Sequence, residues 1–184
     1  MMKEMQNLKI KKYGILLAVL LLAVMVSGCT SNQSIPTKNF SISGMSFMYP
    51  ESWNVTSQES SNATLVMIKS EELLSSNGEK GNVVLILKVS NASKSNMTQT
   101  RDEFATQALS GKNFTNTTIN IAGSNASDMS YIENDTQKNA SYARLIDFTK
   151  NDTLYILMFA TVGGSDMDAA KQYFDVIVKS FKVS

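Results

Sequence analysis

Apolar and polar residues alternate in short runs over most of the chain, and Gly, Pro, Asn and Ser separate the runs. Phe40–Ser43 and Met45–Tyr49 read as two short strands around Gly44, with Pro50 closing the second. In "WNVTS", Trp53 and Val55 alternate with Asn54 and Thr56, the period of a half-buried strand. Thr64–Ile68 is predicted as another strand and Ser75–Asn82 as a loop of turn formers. "VVLILKV", Val83–Val89, is too apolar to keep one face wet, which predicts a central place in a sheet.

The period then changes. Thr100-Arg-Asp-Glu103 has capping-box spacing, with Thr100 accepting from the first turn and Glu103 reaching back. Phe104, Ala105, Ala108 and Leu109 form a helical stripe behind it, and Gly111 is the stop. Strands resume at Phe114–Ile121 and Asp128–Glu133, and Ser141–Val162 reads as a hairpin turning at Lys150-Asn151-Asp152. Ser165-Asp-Met-Asp168 repeats the capping spacing. Ahead of it lies a last helix with the stripe Ala169, Ala170, Tyr173, Phe174, Ile177, Val178 and Phe181. Two helices among about eight antiparallel strands predict an α+β layered domain. No internal repeat is visible.

The first thirty residues follow a different rule. Lys3, Lys9, Lys11 and Lys12 stand against Glu4 alone, and Gly14–Val26 is then wholly apolar apart from its glycine. A basic segment ahead of an apolar core of about 7–15 residues is a secretory signal. Thirteen residues at about 1.5 Å each give roughly 20 Å, short of a hydrocarbon layer of about 30 Å. A permanent transmembrane anchor extended to Leu8 and Ile10 is the competing reading, and the intervening lysines weigh against it. Val26-Ser27-Gly28-Cys29 resembles the lipobox of lipoproteins, an apolar residue and two small ones before a cysteine. The resemblance implies cleavage before Cys29 and acylation of its thiol. A stray cysteine behind an ordinary signal is the alternative, but the chain's single cysteine falls at this boundary. One acyl chain holds weakly, so a stable anchor takes two. The expected division is a lipoprotein signal peptide over 1–28, a polar tether over 29–38 and a folded domain over 39–184.

Composition narrows the chemistry. Removing four lysines and one glutamate with the leader leaves 13 basic and 15 acidic residues, net −2, so no strong field recruits nucleic acid. Histidine is absent, which removes the commonest general base and metal ligand. One cysteine permits no intrachain disulfide.

The N-glycosylation pattern Asn-x-Ser/Thr occurs at Asn32, Asn39, Asn54, Asn62, Asn91, Asn96, Asn113, Asn116, Asn125, Asn134, Asn139 and Asn151. These are 12 of the 15 asparagines after Cys29, where a Ser/Thr content of 37 in 156 residues alone gives roughly 4. Asx- and ST-turns are the competing explanation. They suit Asn91 and Asn151 but not Asn54, which faces outward in a predicted strand. A lipobox-type leader combined with surface sequons suggests an archaeal envelope.

Other chemistry is weakly signalled. Asp128, Glu133 and Asp135 lack the fixed spacing of a calcium loop and read as solvated. Asp166 and Asp168 suit the positive end of the last helix, and Glu71-Glu72 an exposed face. The Lys-Ser pairs at Lys69, Lys94 and Lys179 imply no base geometry, and neither a Gly-x-Ser-x-Gly elbow nor a phosphate loop is present. Met45, Met48 and Met67 read as strand-core residues before copper ligands.

"FMYPESWNV" (Phe47–Val55), "IAGSNASDMSYIE" (Ile121–Glu133) and the segment Leu154–Val183 together resemble PsbP-like domains. Those domains share an aromatic strand, a proline and a tryptophan-led strand, then a central glycine, then a closing strand and helix ending in Ser-Phe. The resemblance spans Phe40–Val183 and implies an antiparallel sheet sandwiched by helices. It also implies binding and assembly roles, as in photosystem extrinsic subunits, a Ran-binding transport factor and envelope lipoproteins, with no shared catalytic site. The expectation is a lipid-anchored, glycosylated, non-enzymatic binding or assembly module on the outer cell surface. It would hold the membrane through Cys29 and meet an envelope protein partner, with no nucleic acid, metal or cofactor. A solute-binding accessory protein of a transporter and a hydrolase are the alternatives, needing a polar pocket and a buried titratable cluster respectively.

Overall fold

A computed structural model describes residues 35–90, 98–99, 101–103, 106, 114–134 and 140–184. The first strands are β1 (Thr37–Ile42), β2 (Met45–Pro50), β3 (Asn54–Glu59) and β4 (Ala63–Lys69), followed by a short helix α1 (Glu71–Ser75). Then come β5 (Gly81–Ser90), β6 (Thr115–Ile121), β7 (Ser124–Asn134), β8 (Ala140–Lys150) and β9 (Thr153–Val162). Helix α2 (Met167–Ser180) and the two-residue β10 (Lys182–Val183) close the domain. A small antiparallel sheet has the order β1-β2-β10, and a seven-stranded one the order β3-β4-β5-β9-β8-β7-β6. The apolar strands β5 and β9 are neighbours inside the large sheet, as the continuous run Val83–Val89 requires.

Three hairpin turns place consecutive residues in the left-handed region. They are Ser43-Gly44 (φ 48° and 74°), Ala122-Gly123 (53° and 78°) and Asn151-Asp152 (50° and 53°). Two left-handed residues match the twist of the flanking strands, and glycine follows most easily in the second place. Asp152 alone lacks that freedom. Asp152→Gly is expected to stabilise the domain by about 0.5 kcal/mol, read from the urea midpoint.

One face of the large sheet carries the main core. Ala170, Phe174 and Ile177 of α2 bury against it, in the cluster that contains Ile86, Leu157 and Phe159. Phe174 lies 4.9 Å from the Phe159 ring, 6.2 Å from Tyr142 and 6.3 Å from Trp53, centroid to centroid. Each large apolar side chain buried this way contributes about 1.5–3 kcal/mol. Phe181 leaves the helix end extended, stacks on Phe47 of β2 at 6.0 Å and delivers Lys182 and Val183 to pair with β2. The opposite face buries Met129, Leu145, Leu154 and Ile156.

The α+β reading, the hairpin at residues 151–152 and the central strand agree with this architecture. Four details are corrected. The last helix is capped by Asp166, not Ser165: Asp166 Oδ1 accepts from Asp168 N at 3.0 Å and Ala169 N at 3.1 Å. Ser165 is drawn inward instead, donating to Val162 O at 2.9 Å. Thr98 and Gln99 are already helical, so the middle helix begins upstream of the box predicted at Thr100. Thr100, Phe104, Ala105, Ala108, Leu109 and Gly111 lie outside the described residues. Residues 71–75, unassigned by pattern, form α1, because Ser70 Oγ accepts from Leu73 N at 3.2 Å and Glu71 and Glu72 occupy the first turn. Finally, β7 begins at Ser124 rather than Asp128, paired with β6 from its first residue.

Candidate functional site

The most buried charged network among the described residues joins β7, β8 and α2. Asp128 and Arg144 share one face of neighbouring strands, as the Asp128↔Ile146 and Ser130↔Arg144 registers dictate. Arg144 grips Asp128 with two bonds, Nε to Oδ1 at 2.9 Å and Nη2 to Oδ2 at 2.8 Å. Its Nη1 reaches Asp175 of α2 at 3.1 Å, and Asp175 also takes Lys179 at 3.0 Å. Burial alone would raise the Asp175 pKa, but the bonds from Lys179 and Arg144 outweigh it and hold the carboxyl below its ordinary value. One turn away, Lys171 Nζ stands 5.6 Å over the Tyr142 ring and 3.3 Å from Asp168. Every charge here faces an opposite charge or a ring. The arrangement locks α2 to the sheet and leaves no free base.

The other face holds a different group. Asp147 sits between Ile146 and Phe148 on β8, only 7% exposed, and its Oδ1 has no hydrogen-bond partner among the described residues. Burial raises its pKa, while Arg101 and Ser127 pull it part of the way back. Because the folded-state pKa is raised, the native state holds its proton more tightly than the unfolded chain. Stability therefore falls as pH climbs through the window between the two values. Asp147→Asn is expected to abolish that fall, measured as urea midpoints from acid to neutral pH. A wild-type fall that persists in the variant contradicts this.

The hydroxyls of the two described Lys-Ser pairs are occupied structurally. Ser180 Oγ donates to Val176 O at 2.6 Å and accepts from Met48 N at 2.8 Å, and Ser70 caps α1. Of the Lys-Ser pairs, Lys94-Ser95 lies outside the described residues. Met45 is core on β2, Met48 is exposed on the same strand, and Met67 belongs to β4 in the other sheet. Asp128 is engaged by Arg144 and Asp135 lies outside the described residues; among the described residues no three His, Cys, Asp or Glu side chains converge. An open groove of about 620 Å³ runs along the β1–β2 turn, lined by Ser41–Ser46 and Lys182–Ser184.

Cys29, Asn32, Asn91, Asn96, Asn113 and Asn139 lie outside the described residues, and Asn134 ends β7. Asn39, Asn54, Asn62, Asn116, Asn125 and Asn151 are all exposed; of the three asparagines after Cys29 outside any sequon, Asn82 is buried and Asn77 and Asn120 are exposed. No helix among the described residues is long and apolar enough to cross a membrane.

Sequence reading missed Arg144 and Asp147, and mistook Asp128 for a solvated residue. The available signal was a charge set inside an apolar strand, as in "ARLIDF", where both residues stand among core positions.

A family profile described as PsbP-like protein matches residues 24–183. The chain belongs to the PsbP-like family. Solved structures resemble this PsbP-like chain at low identity. LpqN, involved in cell envelope biogenesis of Mycobacterium tuberculosis, is 14% identical with a TM-score of 0.50, over 82% of this chain and 92% of its own. Cyanobacterial PsbP of Synechocystis is 15% identical with a TM-score of 0.49, over 86% of this chain and 98% of its own. A Bacteroides thetaiotaomicron protein is 12% identical with a TM-score of 0.48; the match covers 80% of this chain and 48% of that one. No curated protein matches the chain.

Proposed function

We propose that this PsbP-like chain is a lipid-anchored, N-glycosylated protein of the outer cell surface, acting without catalysis as a binding or assembly module of the envelope. The observation that carries the reading is the exposure of all six sequon asparagines whose side chains are described. Acceptor amides need solvent, and a buried asparagine has no use for the pattern. The occupied hydroxyls and the mutually paired charges around Arg144 support a non-catalytic role. LpqN, which shares the fold, is described as an envelope-biogenesis protein, and that supports an envelope setting.

Pull-down from detergent-solubilised native membranes, read by mass spectrometry, tests the assembly role. One stoichiometric envelope partner is the expected result, and repeated recovery of the chain alone removes the support. The anchor has its own test. Cys29→Ser is expected to move the protein out of the membrane fraction and to erase the lipid mass. A variant that stays membrane-bound argues for an uncleaved anchor. A solute-binding accessory protein is the second reading; it needs a pocket with converging polar groups, and the groove along the β1–β2 turn is largely open to solvent. Its test is native mass spectrometry of the gently extracted protein, where a retained small molecule supports it.

A further inference from the structure

The sequons are distributed unevenly over the two sheets. The open edges of an antiparallel sheet present unpaired backbone N–H and C=O groups, ready to accept a strand from another chain. Among the described residues the sheet orders make β1, β3 and β6 edge strands, with the two-residue β10 at the remaining edge. Each of those three edge strands carries one sequon, Asn39 on β1, Asn54 on β3 and Asn116 on β6, and all three asparagines are exposed. Interior strands β2, β4, β5, β8 and β9 carry none within their bounds. On β7, Asn125 follows the turn and Asn134 is the last residue.

Edges are usually protected by charge, proline or shortness. Lys38 serves on β1 and Glu59 on β3. The β6 strand, "TNTTINI", has no charge and no proline over seven residues, and all but Ile119 and Ile121 are exposed. Such a segment is a template for strand addition and aggregation, unless something bulky stands on it.

We propose that N-glycans on Asn39, Asn54 and Asn116 are the edge guards of this fold, and that the glycan on Asn116 keeps β6 from pairing with a second copy of the chain. The inference rests on the glycoprotein reading above and adds a purpose to particular sites. In the modification, Asn116 Nδ2 attacks the anomeric carbon of a lipid-phosphate-linked sugar. The C–N bond forms as the C–O bond to phosphate breaks, Nδ2 gives up one proton, and the lipid phosphate leaves. Asn116 pairs with Met129 and its Oδ1 accepts from Ser127 Oγ at 3.5 Å, so a hydrated sugar there rises from the sheet face at the edge strand, and its bulk keeps a second chain from lying along β6.

Glycopeptide mapping of the full protein from its native membranes comes first, and a bare Asn116 overturns the proposal. Next, Asn116→Gln, Thr118→Ala, Thr118→Ser and Asn151→Gln are produced in the native host. Their masses in mild detergent are compared by light scattering. Asn116→Gln and Thr118→Ala, chemically different but both lacking the acceptor, are expected to at least double the particle mass. Thr118→Ser keeps the acceptor and Asn151→Gln strips only a turn, so both are expected to match wild type. If the wild-type protein carries a glycan on Asn116 and either acceptor-deficient variant keeps wild-type mass, edge guarding is wrong while the glycoprotein reading stands.

Discussion

Arg144→Leu is expected to lower the unfolding free energy by about 3–5 kcal/mol, seen as a lower urea midpoint at unchanged slope. Its side chain is 13% exposed and that of its partner Asp128 is 11% exposed. Removing the guanidinium strands a carboxylate whose two oxygens were both bonded to it, at 2.9 and 2.8 Å. An uncompensated buried charge is what makes a broken buried pair expensive. The Asp175 bond adds less, because that carboxylate is 43% exposed and keeps Lys179 at 3.0 Å. The companion test is Asp128→Leu with Arg144→Leu, expected to recover most of the loss, since replacing a whole buried pair by apolar residues is often neutral. Equal losses in the single and double variants would refute the stranded-charge account in favour of simple packing. Asp175 adds a pH signature. Its depressed pKa gives stability that is present above the unfolded carboxylate value and lost as pH falls through the folded one. Part of that acid loss is expected to disappear with Arg144.

The same region shows what periodicity reveals and what it hides. The stripe Ala170, Phe174, Ile177 and Phe181 was legible because burial against a sheet imposes a 3.6-residue period, and all four side chains are buried. The run Val83–Val89 was legible because two covered faces abolish alternation. The Arg144–Asp128 pair was not legible, because it needs the register Asp128↔Ile146, which depends on where the β7–β8 hairpin closes. The cap at Asp166 was misplaced by one residue for a related reason. Ser165 fits the capping pattern equally well, and only its bonds to the neighbouring Val162 O and, through a tertiary contact, to Gly81 O at 3.2 Å take it out of the role. The sequon count was legible from composition alone. Its meaning at Asn39, Asn54 and Asn116 was not, since which strands lie at an edge is a property of the sheet order.

Gly163→Ala is expected to cost about 2–5 kcal/mol, although it adds one methyl group and removes no interaction. Two effects act together. Gly163 has φ 68°, where a non-glycine residue pays roughly 1–2 kcal/mol. Its Cβ would also stand 1.9 Å from Glu79 O and 2.9 Å from Lys80 Cα. Those atoms are backbone, so no rotamer change relieves the contact, and the loop between α1 and β5 must shift. That shift strains the start of β5, where Gly81 O accepts from Ser165 Oγ at 3.2 Å and Asn82 N donates to Ser70 Oγ at 2.9 Å. The cap of α1 and the entry to α2 are therefore loosened by one methyl group. Gly123→Ala separates the two effects, because Gly123 has a similar φ of 78° but nothing within 4 Å of its Cβ. It is expected to cost only the conformational part, about 1 kcal/mol. The difference between the two variants, measured by urea unfolding under one set of conditions, isolates the close approach of the 79–80 backbone to the end of β9. Equal losses in both would mean that the loop yields freely and does not fix the two helix starts.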